Sequence, residues 1–160
     1  MVYIRIKNIA KNKYAYVARS VQTKKGSRQK IVKYLGRVYE LGMNGDVAIG
    51  NISAKTPAKF LLELVIPYLK EVGFRENKKN FVHKNMVFSC EKLSLTKAKT
   101  TKSIVLKVNE GYLCSFTLSR ILKLKKSKDV GKDATMLATY FHRAGFEISE
   151  ENFITYYQLL

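Results

Sequence analysis

Guanidinium and ammonium groups are the side chains best suited to do chemistry in this 160-residue chain. Lys and Arg number 30 against 12 Asp and Glu, which gives a formal net charge of +18. Arginine binds guanine edges or phosphates through paired hydrogen bonds, and lysine acts as a point charge along a phosphate backbone. A compact chain of this charge repels itself, so a polyanionic partner is the simplest reason to keep the charge. Nucleic acid is the polyanion we expect.

The cations are concentrated in the first 45 residues, where eleven Lys and Arg stand against one acid, Glu40. Residues 129–160 hold only two bases and five acids. We predict that the N-terminal cations bind nucleic acid and that a mobile basic loop, TKAKTTKS (96–103), forms a second clamp. The predicted contacts are Arg5, Lys7, Arg19, Lys24, Lys25, Arg28, Lys30, Lys33 and Arg37 in the first segment and Lys97, Lys99 and Lys102 in the second. Tyrosines 3, 14, 16 and 34 are candidates either for stacking on unpaired bases or for packing against helices.

The residues that could bind a metal lack the usual spacing. His83, Cys90, Cys114 and His142 match no zinc pattern. The two cysteines provide neither a disulfide framework nor a CxxC pair. We therefore expect no metal and no cofactor.

Recognisable catalytic motifs are absent from the sequence. It contains no phosphate-binding glycine loop, no GxSxG elbow and no HExxH pair. We expect a protein that is not an enzyme. A metal-dependent nuclease stays an alternative; it would need Asp46, Glu63 and Glu91, with Lys92, to converge around divalent cations.

The N-terminal cations stand on a segment with the pattern of three short strands. Val2, Ile4 and Ile6 alternate with polar residues, and YAYVARSV (14–21) and RQKIVKYL (28–35) follow, the last ending at Gly36. The loops AKNK (10–13), with Asn12 suited to positive φ, and TKKGS (23–27) predict an antiparallel meander. One face must pack on later helices, while the other displays Arg and Lys interleaved with Tyr. The assignment of the faces stays open, because the alternation of a strand places Arg19 on the same face as Val17 and Val21.

The rest of the chain predicts a second, mixed domain. GMNGDVAIGN (42–51) is typical of a linker, and Thr56–Pro57 to Gly73 predicts a helix. Two or three strands follow within 81–108, with a tight turn near Lys84–Asn85, and then three helices. The buried stripe of the first helix is predicted as Ala58, Leu62, Val65, Leu69 and Val72; that of the last, which Ser149 caps, as Phe153, Tyr157 and Leu160. The predicted fold class is α+β, with a three-stranded antiparallel sheet in residues 1–45, a linker at about 42–52 and an αββ(β)ααα domain in residues 53–160.

Neither a signal peptide nor a membrane span is predicted. The N-terminus MVYIRIKNIA alternates apolar and basic residues, and a signal peptide needs a continuous apolar segment. The most apolar stretch, FLLELVIPYL (60–69), is shorter than the roughly twenty residues of a membrane span. We expect a cytoplasmic protein without a membrane partner.

One resemblance to a known family lies in the N-terminal segment. It is carried by Tyr3, Ile4, Arg5, Tyr14, Tyr16, Val17 and above all GSRQKIVKYLGRVYEL (26–41), about a quarter of the chain. These residues resemble the short β-module that precedes the catalytic domain of transposases of the IS4/IS1634 type and that occurs in related archaeal proteins. The resemblance implies a DNA-contacting module. Those transposases continue into a long domain with three metal-binding acids, for which this chain is too short, so we expect no transposition activity.

The function we predict is non-catalytic binding of nucleic acid, double-stranded DNA first. An RNA-binding protein that uses the same basic face is one alternative. A transposition-related accessory protein and a protein-interaction subunit with a basic surface are others, and a homodimer stays open.

Overall fold

The computed structural model describes residues 2–43 and 46–160, so Met1, Asn44 and Gly45 of the predicted segments lie outside it. The described residues combine strands and helices, which confirms the α+β class. The strands are β1 Val2–Ile9, β2 Asn12–Thr23, β3 Gly26–Tyr39, β4 Arg75–Asn77, β5 Asn80–His83, β6 Met86–Ser89, β7 Ser94–Lys97, β8 Ile104–Val108 and β9 Gly111–Leu113. The helices are α1 Pro57–Glu71, α2 Ser115–Leu122, α3 Val130–Ala144 and α4 Glu150–Leu159.

The first three strands form the predicted antiparallel meander, but they belong to a larger sheet. Its order is β1-β2-β3-β8-β9, and β3 pairs with β8 in parallel where Arg37–Tyr39 meets Ile104–Leu106. The prediction of a three-stranded antiparallel arrangement at the N-terminus is confirmed, and β8 and β9 extend it into a larger mixed sheet. The division into two domains stays a prediction. Strands β3 and β8, one from each of the two proposed domains, hydrogen bond to each other.

Two details of the meander differ from prediction. β3 continues through Gly36 instead of ending there, because Gly36 takes a φ of +131° that lets the strand pass close to Ser103. The first turn places positive φ at Ala10 and Lys11, whereas Asn12 already belongs to β2.

The second sheet is a four-stranded antiparallel meander, β4-β5-β6-β7. The tight turn predicted at Lys84–Asn85 is confirmed, since His83 and Met86 pair across it. The prediction of two or three strands in 81–108 is wrong, because β5, β6, β7 and β8 all fall there. Thr96 and Lys97, assigned to a loop by their composition, belong to β7; the N–H of Lys97 donates to the carbonyl of Lys102 at 2.8 Å.

Helix α1 begins and ends where its capping residues predict. The Thr56 hydroxyl accepts a hydrogen bond from the N–H of Lys59, and Gly73 follows the helix with a φ of +101°. The predicted stripe is wrong in part. Val65, Leu69 and Val72 are buried as predicted and Leu62 is partly buried, but Ala58 is exposed. The larger side chains Phe60, Leu61, Leu64 and Tyr68 complete the buried face. A larger apolar side chain gains more from burial, so these residues determine the orientation of the helix.

The C-terminal helices close the main core. Gly145 ends α3 and Ser149 caps α4, as predicted. In α4 the fully buried residues are Asn152 and Tyr156, whereas the predicted Phe153, Tyr157 and Leu160 are only partly buried. No described helix combines the length and the apolar character that crossing a membrane would require.

Two buried polar side chains fix the connections around these helices. Asn152 accepts from the N–H of Ile52 at 2.9 Å and donates to the carbonyl of Gly50 at 3.0 Å, which ties residues 50–52 to α4. Asp133 accepts from both the N–H and the hydroxyl of Ser127. Asp133 lies in the first turn of α3, and its side chain is buried.

Candidate nucleic-acid interface

Strands β2 and β3 extend beyond their neighbours as a two-stranded ribbon, residues 19–30, which we call the arm. β1 reaches only as far as Arg19, which pairs with Val2, and β8 pairs with β3 only at Arg37–Tyr39. Among the described strands, none pairs with the outer edges of residues 20–29. The turn at the tip is closed by the Thr23 hydroxyl, which donates to the carbonyl of Gly26 at 2.7 Å.

The arm exposes five of the predicted contacts. They are Arg19, Lys24, Lys25, Arg28 and Lys30, and all five are exposed. Arg19 and Lys30 lie directly opposite each other across the two strands. Like charges in that position destabilise a sheet, so an anion bound between them would relieve a repulsion that the fold otherwise retains.

Replacing Lys30 by Glu is expected to stabilise the fold while weakening nucleic-acid binding. The change turns a like-charge pair with Arg19 into an opposite-charge pair, worth roughly 0.5–1 kcal/mol across a sheet. The midpoint of thermal unfolding, followed by circular dichroism at low salt, should rise by about 2–4 °C. Lys30→Gln, which removes the repulsion without adding attraction, should lie between the two proteins. A lower midpoint for Lys30→Glu would show that Lys30 makes a stabilising contact instead.

Three tyrosines form an aromatic cluster on one face of the first sheet, which we call the tyrosine face. The ring of Tyr16 lies 5.2 Å from that of Tyr34, and Tyr34 lies 6.4 Å from Tyr14, between ring centroids. The ammonium of Lys7 lies 5.0 Å from the centroid of Tyr16. Arg5 donates from Nη1 to the side-chain oxygen of Gln29 at 2.7 Å. Cations and rings thus alternate on this face, the pattern of a surface that binds phosphates and bases together.

The opposite face packs on the start of α2, which settles the assignment left open by the sequence. Ala15 and Val17 are buried there with Cys114 of the α2 N-terminus. Arg19 lies two residues after Val17 in β2, but it belongs to the arm, where its side chain stays exposed. Leu35 and Val32 are extra residues in β3 that shift its register against β2. Such bulges increase the local twist and help to turn the arm away from the sheet.

Tyr34 is the most accessible ring of the cluster, with 53% of its surface exposed. Its pKa is raised from its ordinary value, first by desolvation and then by the neighbouring Tyr16 and Tyr14. Like any tyrosine hydroxyl, it is protonated at neutral pH and can donate a hydrogen bond to a phosphate or a base edge. Tyr3 differs from the other three tyrosines, since its hydroxyl is buried without a hydrogen-bond partner among the described residues.

The structure brings part of the second predicted clamp to the tyrosine face. A groove of about 560 Å³, the β3–β8 groove, is lined by Tyr14, Tyr34, Arg37, Lys97 and Lys102. Arg37 therefore shares one groove with two of the three clamp lysines, although some sixty residues of sequence separate them. The third, Lys99, is exposed in the turn after β7 and does not line the groove.

Lys33 is separated from this set. It lies opposite Val17 in the register of β2 and β3 and lines a groove against α2 instead. The sequence does not reveal this separation, since the bulges of β3 interrupt its alternation. The same groove contains Lys92, Arg120, Lys123 and Lys125, none of which the sequence singled out as a contact. The run of lysines after α2 was a local signal for Lys123 and Lys125, whereas Lys92 and Arg120 lie outside that run.

One N-terminal cation has an acidic partner. Lys13 and Glu40 form an ion pair at 2.6 Å on the surface, the one pair found between described residues. Through this hydrogen bond and charge, Lys13 lowers the pKa of Glu40 from its ordinary value. Glu40 is the only acid of residues 1–45. The predicted contacts of β1, β2 and β3 form no ion pair with a described acid.

Comparisons of this chain with protein-family models, with curated proteins and with solved structures found no match.

Proposed function

We propose that the protein binds nucleic acid without catalysis, double-stranded DNA first, and that the arm is its main contact surface. The observation that carries the proposal is a projecting two-stranded ribbon with five exposed cations and no acid. The major groove of B-DNA admits a two-stranded β-ribbon, and the cations would contact the phosphates on either side of it. We place this activity in the cytoplasm.

RNA is the second candidate, favoured by the tyrosine face. Sequence-specific RNA recognition stacks unpaired bases on aromatic rings, and Tyr34 is exposed beside Tyr14 and Tyr16 with Lys7 and Arg37 at the margins. Competition between a DNA duplex and a structured RNA of equal length, at one salt concentration, separates the two candidates. Preference for the duplex supports the arm as the main contact surface, and preference for the RNA supports the tyrosine face.

Two other functions are tested by assays of their own. A nuclease would nick supercoiled DNA in the presence of magnesium. A protein-interaction subunit would show no salt-sensitive binding to nucleic acid. Its partner would then have to complement the exposed cations of the arm.

Binding to a 20-base-pair duplex is expected to weaken steeply with salt. If the five arm cations each neutralise one phosphate, the slope of log K against log salt concentration is roughly −4 to −5, at about 0.9 per contact. Gel retardation or fluorescence anisotropy between 50 and 200 mM salt, roughly the range over which such contacts lose most affinity, measures it. A slope near zero would contradict the proposal, because the arm offers almost nothing except charge to a duplex.

A further inference from the structure

A second cation-lined groove lies on the side of the sheet away from the tyrosine face, and we call it the α2 groove. It has a volume of about 720 Å³. Its cations come from four parts of the chain, namely β3, the turn between β6 and β7, α2 and the segment after α2. They are Lys33, Lys92, Arg120, Lys123 and Lys125, and no described acid lines the groove with them. Cations from separate segments that meet without an acid form a site for an anion.

Arg120 is held in a fixed orientation within this groove. Its Nη2 donates to the Tyr140 hydroxyl at 2.7 Å, and its guanidinium carbon lies 4.6 Å from the Tyr140 ring centroid. The Phe116 ring is 5.7 Å away on α2. A guanidinium fixed in this way loses little freedom when a ligand binds, so its interaction with a phosphate or a base plane is pre-organised.

The walls of the α2 groove favour a single strand over a duplex. Phe116, Leu93, Leu124 and Met136 supply aromatic and apolar surface between the cations. Single-stranded nucleic acid is bound in this way, with bases on aromatic or guanidinium planes and phosphates on Lys and Arg. A duplex keeps its bases stacked inside and cannot insert one into a concave site of this size.

The α2 groove also connects with the β3–β8 groove. A small depression between them is lined by Lys33, Ser115 and Phe116, which it shares with the α2 groove. It is also lined by Tyr34 and Ser103, which it shares with the β3–β8 groove. The depression lies at the edge of β3 that faces β8. Because β8 pairs with β3 only at Arg37–Tyr39, no described strand pairs with this edge at residues 33–35, which line the depression. One strand could therefore pass from the first groove to the second without leaving a cation-lined surface.

We propose that the α2 groove binds a single-stranded segment of nucleic acid. The inference rests on the proposed function and deepens it. The arm holds the duplex, and the α2 groove holds an unpaired strand that continues toward the β3–β8 groove. The substrate class is thus a nucleic acid that carries both a duplex and a single-stranded part.

The test uses the full chain and three fluorescent probes, a 20-nucleotide single-stranded DNA, its RNA counterpart and a 20-base-pair duplex. In the groove variant, Lys92, Lys123 and Lys125 become Gln; in the matched control, the exposed Lys55, Lys59 and Lys132 do. We expect the groove variant to lose at least ~10-fold in single-strand affinity, with a salt slope shallower by about 2, at roughly 0.7 per phosphate. Its duplex affinity, and both affinities of the control, should stay within about threefold, as expected for lysines that contact no phosphate.

Each outcome decides the inference. Unchanged single-strand affinity of the groove variant overturns it, and so does an equal loss in the groove and control variants, which would reflect net charge alone. If the unaltered protein binds no nucleic acid, the proposed function fails; if it binds the duplex but the groove variant still binds single strands, only this inference fails. Arg120→Lys keeps the charge but removes the planar group. A threefold or greater loss of single-strand affinity at an unchanged unfolding midpoint supports stacking or fork contacts by Arg120, whereas full retention contradicts them.

Discussion

Reversing Lys24, Lys25 and Arg28 to Glu is expected to abolish the retardation of a DNA duplex, lowering affinity by at least ~100-fold. Each reversal removes a cation that would release a counterion from DNA and adds a carboxylate that repels the phosphate. The three residues surround the turn at the tip of the arm, and each is exposed. No other described element replaces their charges at that point.

The fold should tolerate this triple change. No described strand pairs with the outer edges of the arm, and none of the three side chains belongs to the core. The unfolding midpoint and the far-ultraviolet circular dichroism should therefore match those of the unaltered protein. The matched control reverses Lys55, Lys59 and Lys132, which removes the same charge from exposed positions. Unchanged retardation by the arm variant, or an equal loss in the control, would show that the arm is not the contact surface.

The parts of the fold that the sequence predicts are those fixed by local chemistry. Thr56 and Ser149 cap helices because a side-chain oxygen can reach a free N–H two or three residues on. Gly73 and Gly145 end helices because they adopt positive φ at no steric cost. These signals depend only on near neighbours, so a single sequence is enough to read them.

The parts that escaped prediction depend on contacts between distant segments. The parallel pairing of β3 with β8 joins residues that are more than sixty positions apart, and no local pattern encodes it. β4 and β9 have three residues each, too few for alternation to be recognised. The stripe of α1 was misplaced because the second sheet and α4, which pack against it, select the bulkier side chains.

In the candidate site, too, features set by local sequence were predictable and features set by contacts between distant segments were not. The arm was predictable, because its cations surround one glycine turn in a short stretch of sequence. The β3–β8 groove was predictable only as two separate clusters, since Arg37 meets Lys97 and Lys102 through the long-range pairing. The α2 groove was missed because Lys33, Lys92 and Arg120 converge from three distant elements.

The surplus of cations has a structural consequence that links stability to binding. With one ion pair between described residues, most of the positive charge is left without an acidic partner at short range. Self-repulsion lowers the stability of a compact chain, and polyanion binding relieves it. The arm places five of these cations on a ribbon that extends beyond the neighbouring strands.

Replacing Gly36 by Ala is expected to destabilise the protein by about 3–5 kcal/mol, from forced backbone strain and overpacking together. Gly36 has a φ of +131°, and an added Cβ would lie 2.1 Å from the carbonyl oxygen of Ser103 and 2.8 Å from its carbonyl carbon. Both are backbone atoms next to β8, so relief requires β3 and β8 to separate. We expect the unfolding midpoint to fall by roughly 10 °C or more.

Gly26→Ala is the matched control for the Gly36 substitution. Gly26 also has a positive φ, +108°, but an added Cβ would meet nothing within 4 Å. Its cost is therefore backbone strain alone, roughly 1–2 kcal/mol. The difference between the two variants isolates the contact with Ser103, which also sets the position of the adjacent Lys102 relative to Arg37. Equal unfolding midpoints for the two variants would mean that β3 and β8 do not approach each other closely at Gly36, and the β3–β8 groove would then lose the contact that aligns its two walls.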